Sequence, residues 1–170
     1  MPVAPESSEM PADTAFNKVA TTLGYAFDGE IKVGGNYAPL VRDGDTLYVS
    51  GQIPRVGDTV VVTGRVGDTV SLERAQLAAK VCVMRALALL QRELGSLEQV
   101  RSVHRMTVYV QCAETFTQLS EVADGASEVL RAVLGPAGAH TRTSVGAYQL
   151  PKGASVELDL VARAASAARS

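Results

Sequence analysis

The longest uninterrupted pattern in the chain runs from Ser71 to Leu94, and it leaves few choices of fold. Ser71 suits a helix N-cap, Glu73 falls in the first turn, and Gly95 stands just past the last apolar residue. Between them Leu72, Ala75, Ala79, Val83, Ala86, Leu90 and their neighbours form a wide apolar arc. Arg74, Lys80, Arg85 and Arg92 are assigned to the solvent side. An arc of that width predicts a long helix packed on a sheet.

The strands for such a sheet lie on both sides of it. Pro39 to Val49 reads as a strand pair broken by a tight turn at Arg42-Asp43-Gly44-Asp45, and the strand is left at Gly51, where no Cβ blocks close approach. Val100 to Val110 alternates, with Met106, Val108 and Val110 on one face. Two Val-Gly-Asp-Thr-Val copies, at residues 56–60 and 66–70, are too close for a solenoid repeat and read as a small hairpin. Thr115-Phe116-Thr117-Gln118 has capping-box spacing before a second long helix, from about Phe116 to Leu134, which Gly135-Pro136 stops. Near the N-terminus, Asp13 or Thr14 is placed to cap a short helix through about Leu23, after a Pro- and Glu-rich stretch read as a flexible tail over residues 1–12. Residues 13–170 then form one α+β domain with two long helices on one face of a sheet. No third long helix is left for the other face, so Val145 and Ala147 would be exposed in a monomer, and a cyclic homo-oligomer is the simplest cover.

Composition narrows the function. Of 170 residues 46% are hydrophobic and 20% charged, enough for a core without disulfide or metal. The formal net charge of -2, the lack of a Lys/Arg cluster and the scattered aromatics speak against nucleic acid. Neither a leader pattern nor a long uncharged apolar run is found, so no membrane partner is expected and the expected location is cytoplasmic. Cys82 and Cys112 lack metal-ligand spacing and read as small buried residues, so no metal is expected. His104 and His140 stand in no nucleophile motif.

Two charges remain conspicuous. Arg142 opens an apolar strand, Arg-Thr-Ser-Val-Gly-Ala-Tyr-Gln-Leu, the chain turns at Pro151 to Ala154, and Glu157 sits inside Ser-Val-Glu-Leu-Asp-Leu-Val. The segment reads as a β-hairpin. A guanidinium fork suits a carboxylate or phosphate, and a carboxylate can orient water or take its proton, which together indicate a small anionic substrate. In such a hairpin Glu157 lies near Tyr148, with Arg142 roughly 17–20 Å farther along at ~3.3 Å per residue. One cleft would then need groups from two chains, or a bend or bulge.

Four blocks in order give the chain a resemblance to the YjgF/RidA family of reactive-intermediate deaminases. They are Asn36-Tyr37-Ala38-Pro39, Leu47-Tyr48-Val49-Ser50-Gly51-Gln52-Ile53-Pro54, Arg142-Thr143-Ser144-Val145-Gly146, and Leu150-Pro151 followed by Val156-Glu157-Leu158. The resemblance implies a chorismate-mutase-like α+β fold and a homotrimer with a central β-barrel and clefts between subunits. It implies hydrolysis of enamines and imines, such as 2-iminopropanoate or 2-iminobutanoate, to 2-keto acids and ammonia, with no cofactor. Carried over by position, Arg142 would hold the substrate carboxylate and Glu157 would orient or activate water. Tyr37, Ser50 and the Gly51 backbone would line the cleft, Ser144 would offer backbone contacts, and Asp124 is assigned the place of an Asn that reaches the cleft in broader members. His140-Thr141 before Arg142, Thr143 after it and the extra N-terminal helix resemble a divergent branch. Two other readings accompany this one: a non-catalytic small-metabolite binder, and the endoribonuclease or translation inhibitor attached to the family name.

Overall fold

The computed structural model describes residues 10–166, so residues 1–9 of the expected tail lie outside the described part. Helix α1 (Ala12–Leu23) is followed by strands β1 (Leu40–Asp43), β2 (Thr46–Gln52), β3 (Arg55–Val56) and β4 (Thr59–Val60). Helix α2 (Leu72–Leu94), β5 (Val100–Gln111), α3 (Leu119–Leu134), β6 (Thr141–Ala147) and β7 (Val156–Ala164) complete the order. Five strands form one sheet in the order β1-β2-β7-β5-β6, and β3 with β4 makes a separate small hairpin from the first Val-Gly-Asp-Thr-Val copy. Among the described residues no helix is long and apolar enough to cross a membrane.

Helix α2 has the expected bounds. The Ser71 hydroxyl accepts from the Arg74 amide, and Gly95 closes the helix in the left-handed region. Helices α2 and α3 cover one face of the sheet, where Leu47, Val49, Met106, Val108, Leu158 and Leu160 are buried. Arg85 departs from the expectation. It is only 3% exposed, because the segment after α1 packs Phe27 and Ile31 into the core along what would otherwise be the wet side of α2. Helix α1 is tied to the end of α2 through Asp13, which accepts hydrogen bonds from Gln91 (2.8 Å), Ser96 (2.5 Å) and the Leu97 amide (2.9 Å). Burial raises the pKa of that carboxyl, but the three hydrogen bonds outweigh burial and hold it below the ordinary value. Asp13 therefore clamps α1 in place of capping it; Pro11 takes the N-cap position.

Two further expectations change. Helix α3 begins at Leu119 without a side-chain cap, since Phe116 packs against Gly67 in a turn and is held out of the helix. The C-terminal hairpin does not form. Strand β6 runs parallel to β5 on one side of it, and β7 runs antiparallel to β5 on the other. Helix α3 supplies the crossover that a parallel β5–β6 pair requires. Residues 148–155, with a short 3-10 turn at Pro151–Gly153, then carry the chain past the end of β5 to β7.

The second face of the sheet is open. Tyr48 is 50% exposed and Val145 37% exposed, and Thr107, Tyr109, Glu157 and Asp159 lie on the same side by register.

Candidate functional site

The local event that builds the site is a bulge in β2. Val49 pairs with Leu160 and Gln52 with Leu158, so Ser50 and Gly51 together oppose Asp159. The extra residue resets the alternation. Gln52 thereby points into the core beside Arg85, while Ser50 donates from its hydroxyl to the Ala38 carbonyl (2.7 Å) and fixes the segment that carries Tyr37. Gly51 is needed for space. A Cβ there would stand 3.0 Å from the carboxyl carbon of Glu157, so the absent side chain is what lets that carboxylate lie against the strand.

Glu157, Gly51 and Tyr37 line one cavity of about 190 Å³, together with Lys32, Gln52, Arg55, Arg85 and Lys152 and the apolar Val33, Pro39, Ile53 and Pro151. Burial raises the Glu157 pKa above the ordinary glutamate value, and the neighbouring Asp159 charge adds to it. Asp159 is raised by burial as well, with Arg105 opposing. A carboxylate of raised basicity at the wall of a small cavity can accept a proton from water.

Arg142 is elsewhere. By register it lies beside Met106, on the helix-covered face, whereas Glu157 lies beside Tyr109 on the open face. Its guanidinium donates to Asp124 (2.8 Å) and Ser127 (2.9 Å) through one nitrogen, and to the Ser120 hydroxyl (2.9 Å) and carbonyl (3.2 Å) through the other. Ser144 follows two residues along the same face of β6, so Arg142, Asp124 and Ser144 form a second group at the sheet edge. His140 braces it. One ring nitrogen lies 2.7 Å from the Gly138 carbonyl and donates to it, and in the neutral ring the other accepts from the Ser127 hydroxyl at 2.8 Å. The seven residues singled out from the sequence thus fall into two groups: Tyr37, Ser50, Gly51 and Glu157 around the bulge, and Arg142, Asp124 and Ser144 at the β6 edge. Within one chain the two groups are on opposite sides of the sheet.

Four cationic residues of the cavity were not singled out from the sequence. Arg85 had a signal that could have found it, being the one charged residue in the stretch Val81 to Leu90, the signature of a cation taken into a core. Lys152 had none, because Pro-Lys-Gly reads as an ordinary turn. Burial lowers the Arg85 pKa, and its guanidinium donates to Gln52 (3.1 Å) and to the carbonyls of Arg55 (2.7 Å) and Lys32 (3.1 Å). Among the described residues no three His, Cys, Asp or Glu side chains are grouped as metal ligands.

Known proteins share this arrangement of elements. Residues 19–163 match the family described as "YjgF/chorismate mutase-like, putative endoribonuclease". Protein TCP17 of Trypanosoma cruzi is 38% identical over 125 residues, which cover 73% of this chain and 78% of that protein. The crystal structure of Atu1372 from Agrobacterium tumefaciens, a protein of unknown function, superposes with a TM-score of 0.81 at 34% identity over 91% of this chain and 95% of that one. A protein from Shewanella oneidensis described as a "putative endoribonuclease" has the same fold, with a TM-score of 0.82 at 21% identity over 91% of this chain and 99% of that one.

Proposed function

The chain belongs to the YjgF/chorismate mutase-like family, and from that premise we propose that it hydrolyses small 2-imino acids and their enamine tautomers to 2-keto acids and ammonia, in clefts between the subunits of a homotrimer. The observation that carries the reading is Glu157, a half-buried carboxylate of raised basicity at a cavity wall, seated against the β2 bulge at Gly51, where a Cβ would stand 3.0 Å from its carboxyl carbon. A protonated imine carbon is already electrophilic, so the reaction needs a held substrate and an oriented water more than a strong nucleophile. Glu157 takes a proton from water as the C–O bond forms. The proton then passes to the amino nitrogen of the carbinolamine; as the C–N bond breaks, Glu157 takes the hydroxyl proton, the freed oxygen pair forms the C=O of the keto acid, and the departing ammonia carries that proton away as ammonium.

Arg142 is the anchor for the substrate carboxylate in this reading. Since it and Glu157 lie on opposite faces of their own sheet, the cleft joins Arg142 of one copy to Glu157 of another. The open sheet face and the outer position of β6 favour such an assembly. The substrate carboxylate replaces the contacts with Ser120, which lie on the exposed side of the guanidinium. The test is turnover of freshly generated 2-iminopropanoate, with semicarbazide trapping the imine that remains. Wild-type protein should accelerate its loss, and Arg142→Ala should abolish the acceleration while leaving the assembly intact; unchanged turnover in that variant refutes the assignment.

The Asp124–Arg142 ion pair favours a second reading, a metabolite-binding trimer without useful catalysis, because the guanidinium fork is already engaged. Binding of keto acids without any effect on imine decay would select it. RNA cleavage, the activity in the family's description, is the least supported, since a chain of net charge -2 offers little attraction for a phosphate backbone.

A further inference from the structure

The cavity beside Glu157 holds more positive charge than its own chain balances. Lys32 is paired with Asp58, but Arg55, Arg85 and Lys152 form no ion pair among the described residues, and Glu157 is the one carboxylate lining the cavity. Three cations therefore face one anion. Arg85 makes the imbalance costly, since an arginine only 3% exposed is ordinarily matched by a carboxylate, and here its guanidinium is met by two carbonyls and an amide oxygen. Beside it the buried Nε of Arg55 has no hydrogen-bond partner. Such an unsatisfied buried donor, in a residue that lines the cavity, calls for an explanation. Lys152 adds a third sign: among the described residues it is the only one other than glycine with positive φ (59°), a conformation that lysine adopts at some cost and that recurs where ligands are held.

We propose that Arg55 and Lys152, backed by the buried charge of Arg85, form a subsite for a second carboxylate, so that the favoured ligands are short dicarboxylic 2-imino and 2-oxo acids. This names the substrate class of the site described above and rests on the deaminase reading for its catalytic part. The cavity is small and already holds the Glu157 charge, which disfavours a phosphate dianion, while Ile53, Pro39 and Pro151 give a surface for the methylenes between two acid groups. One carboxylate engages Arg142 of the neighbouring copy, and the other enters this cavity.

Calorimetric titration of the full chain with 2-oxoglutarate and with 2-oxobutanoate tests the subsite without turnover. The diacid should bind roughly tenfold tighter or more, the scale of one added charge-assisted hydrogen bond. Arg55→Gln and Lys152→Asn should each bring the diacid-to-monoacid ratio toward one; Asn keeps the backbone conformation accessible, and a thermal melt verifies folding. Equal binding of the two acids by wild-type protein, or equal weakening of both in the variants, overturns the proposal, the latter because the cations would then hold the carboxylate common to both. Turnover of the matching imino acids separates the two claims. Deamination without diacid preference refutes the subsite alone, whereas diacid-selective binding with no deamination of any imino acid refutes the catalytic reading and supports the subsite.

Discussion

Glu157 owes its basicity to position, and the same position makes it a burden on the fold. Burial and the Asp159 charge both disfavour its ionised form, so its folded pKa lies above the ordinary value of 4.5. Folding therefore favours the protonated acid. The penalty is absent below the unfolded pKa and grows as pH rises through the folded one. Glu157→Gln should accordingly raise stability at pH 7 by at most about 1 kcal/mol, the charge being half in water, and the gain should vanish below about pH 4. Thermal melts of both proteins across pH give the test. In the imine assay the same variant should lose roughly 10²-fold or more in kcat, and the acid limb of the wild-type profile should lie above pH 4.5. Asp124 bears on the other half of the site. Its carboxylate holds the Arg142 guanidinium at 2.8 Å, and in the proposed reaction it would compete there with a substrate carboxylate. Asp124→Asn keeps an acceptor for Arg142 but removes the competing charge, so KM for a 2-imino acid should fall several-fold. A rise in KM would mean that Asp124 serves chiefly to hold Arg142 in place.

Helices α2 and α3 show how an element's packing overrides its local preference. Gly125 stands in the middle of α3, where Ala is the better helix former by about 1 kcal/mol. Its missing side chain, however, faces the α2 backbone, and a Cβ there would lie 2.6 Å from the Gln76 carbonyl oxygen and 3.1 Å from its Cα. Backbone cannot swing aside as a side chain can, and overpacking of this kind costs about 1–3 kcal/mol. Gly125→Ala should therefore lower the melting temperature by about 3–6 °C; a rise would show that the two helices separate easily. The elements themselves were legible wherever one face repeats: α2 and β5 follow from hydrophobic periodicity alone. The α3 start was not, because Thr115 and Gln118 have cap spacing but Phe116 is drawn away to Gly67, a partner far off in sequence. The expected hairpin fails to form for a related reason. A turn between two strand patterns looks the same whether the strands pair or pass on either side of β5, and only the preceding β5–α3–β6 unit distinguishes them. The hairpin register already kept Arg142 and Glu157 far apart along one ladder; the observed strand order sets them on opposite faces of the sheet instead. Tyr37, Gly51 and Glu157 could be grouped from the sequence, but Arg55, Arg85 and Lys152 could not, since their convergence depends on the bulge and on how the loop after α1 is laid down.

At the scale of the molecule, one covered and one open sheet face turn the residue chemistry into a question of assembly. Tyr48, Val41 and Val145 are exposed on the open side, and a chain of 17.8 kDa that leaves such a face bare gains by burying it against copies of itself. In a cyclic trimer each interface is head-to-tail, so every cleft takes one set of groups from each of two chains. If Arg142 and Glu157 enter the cleft that way, their loss can be complemented. Arg142→Ala and Glu157→Gln should each be inactive alone. When the two are co-expressed in equal amounts and assemble at random, half the arginine positions and half the glutamate positions are native, and about a quarter of the clefts contain both. Activity near a quarter of the wild-type rate per chain is then expected from the mixture, alongside sedimentation at three times the chain mass. A site formed within one chain predicts no recovery at any mixing ratio. Val145→Glu, which puts a charge on the open face along its β6 edge, should shift the protein toward monomer and remove activity together, although it touches neither reacting group. A monomer that keeps full activity would place both groups in one chain, against the register that sets them on opposite faces.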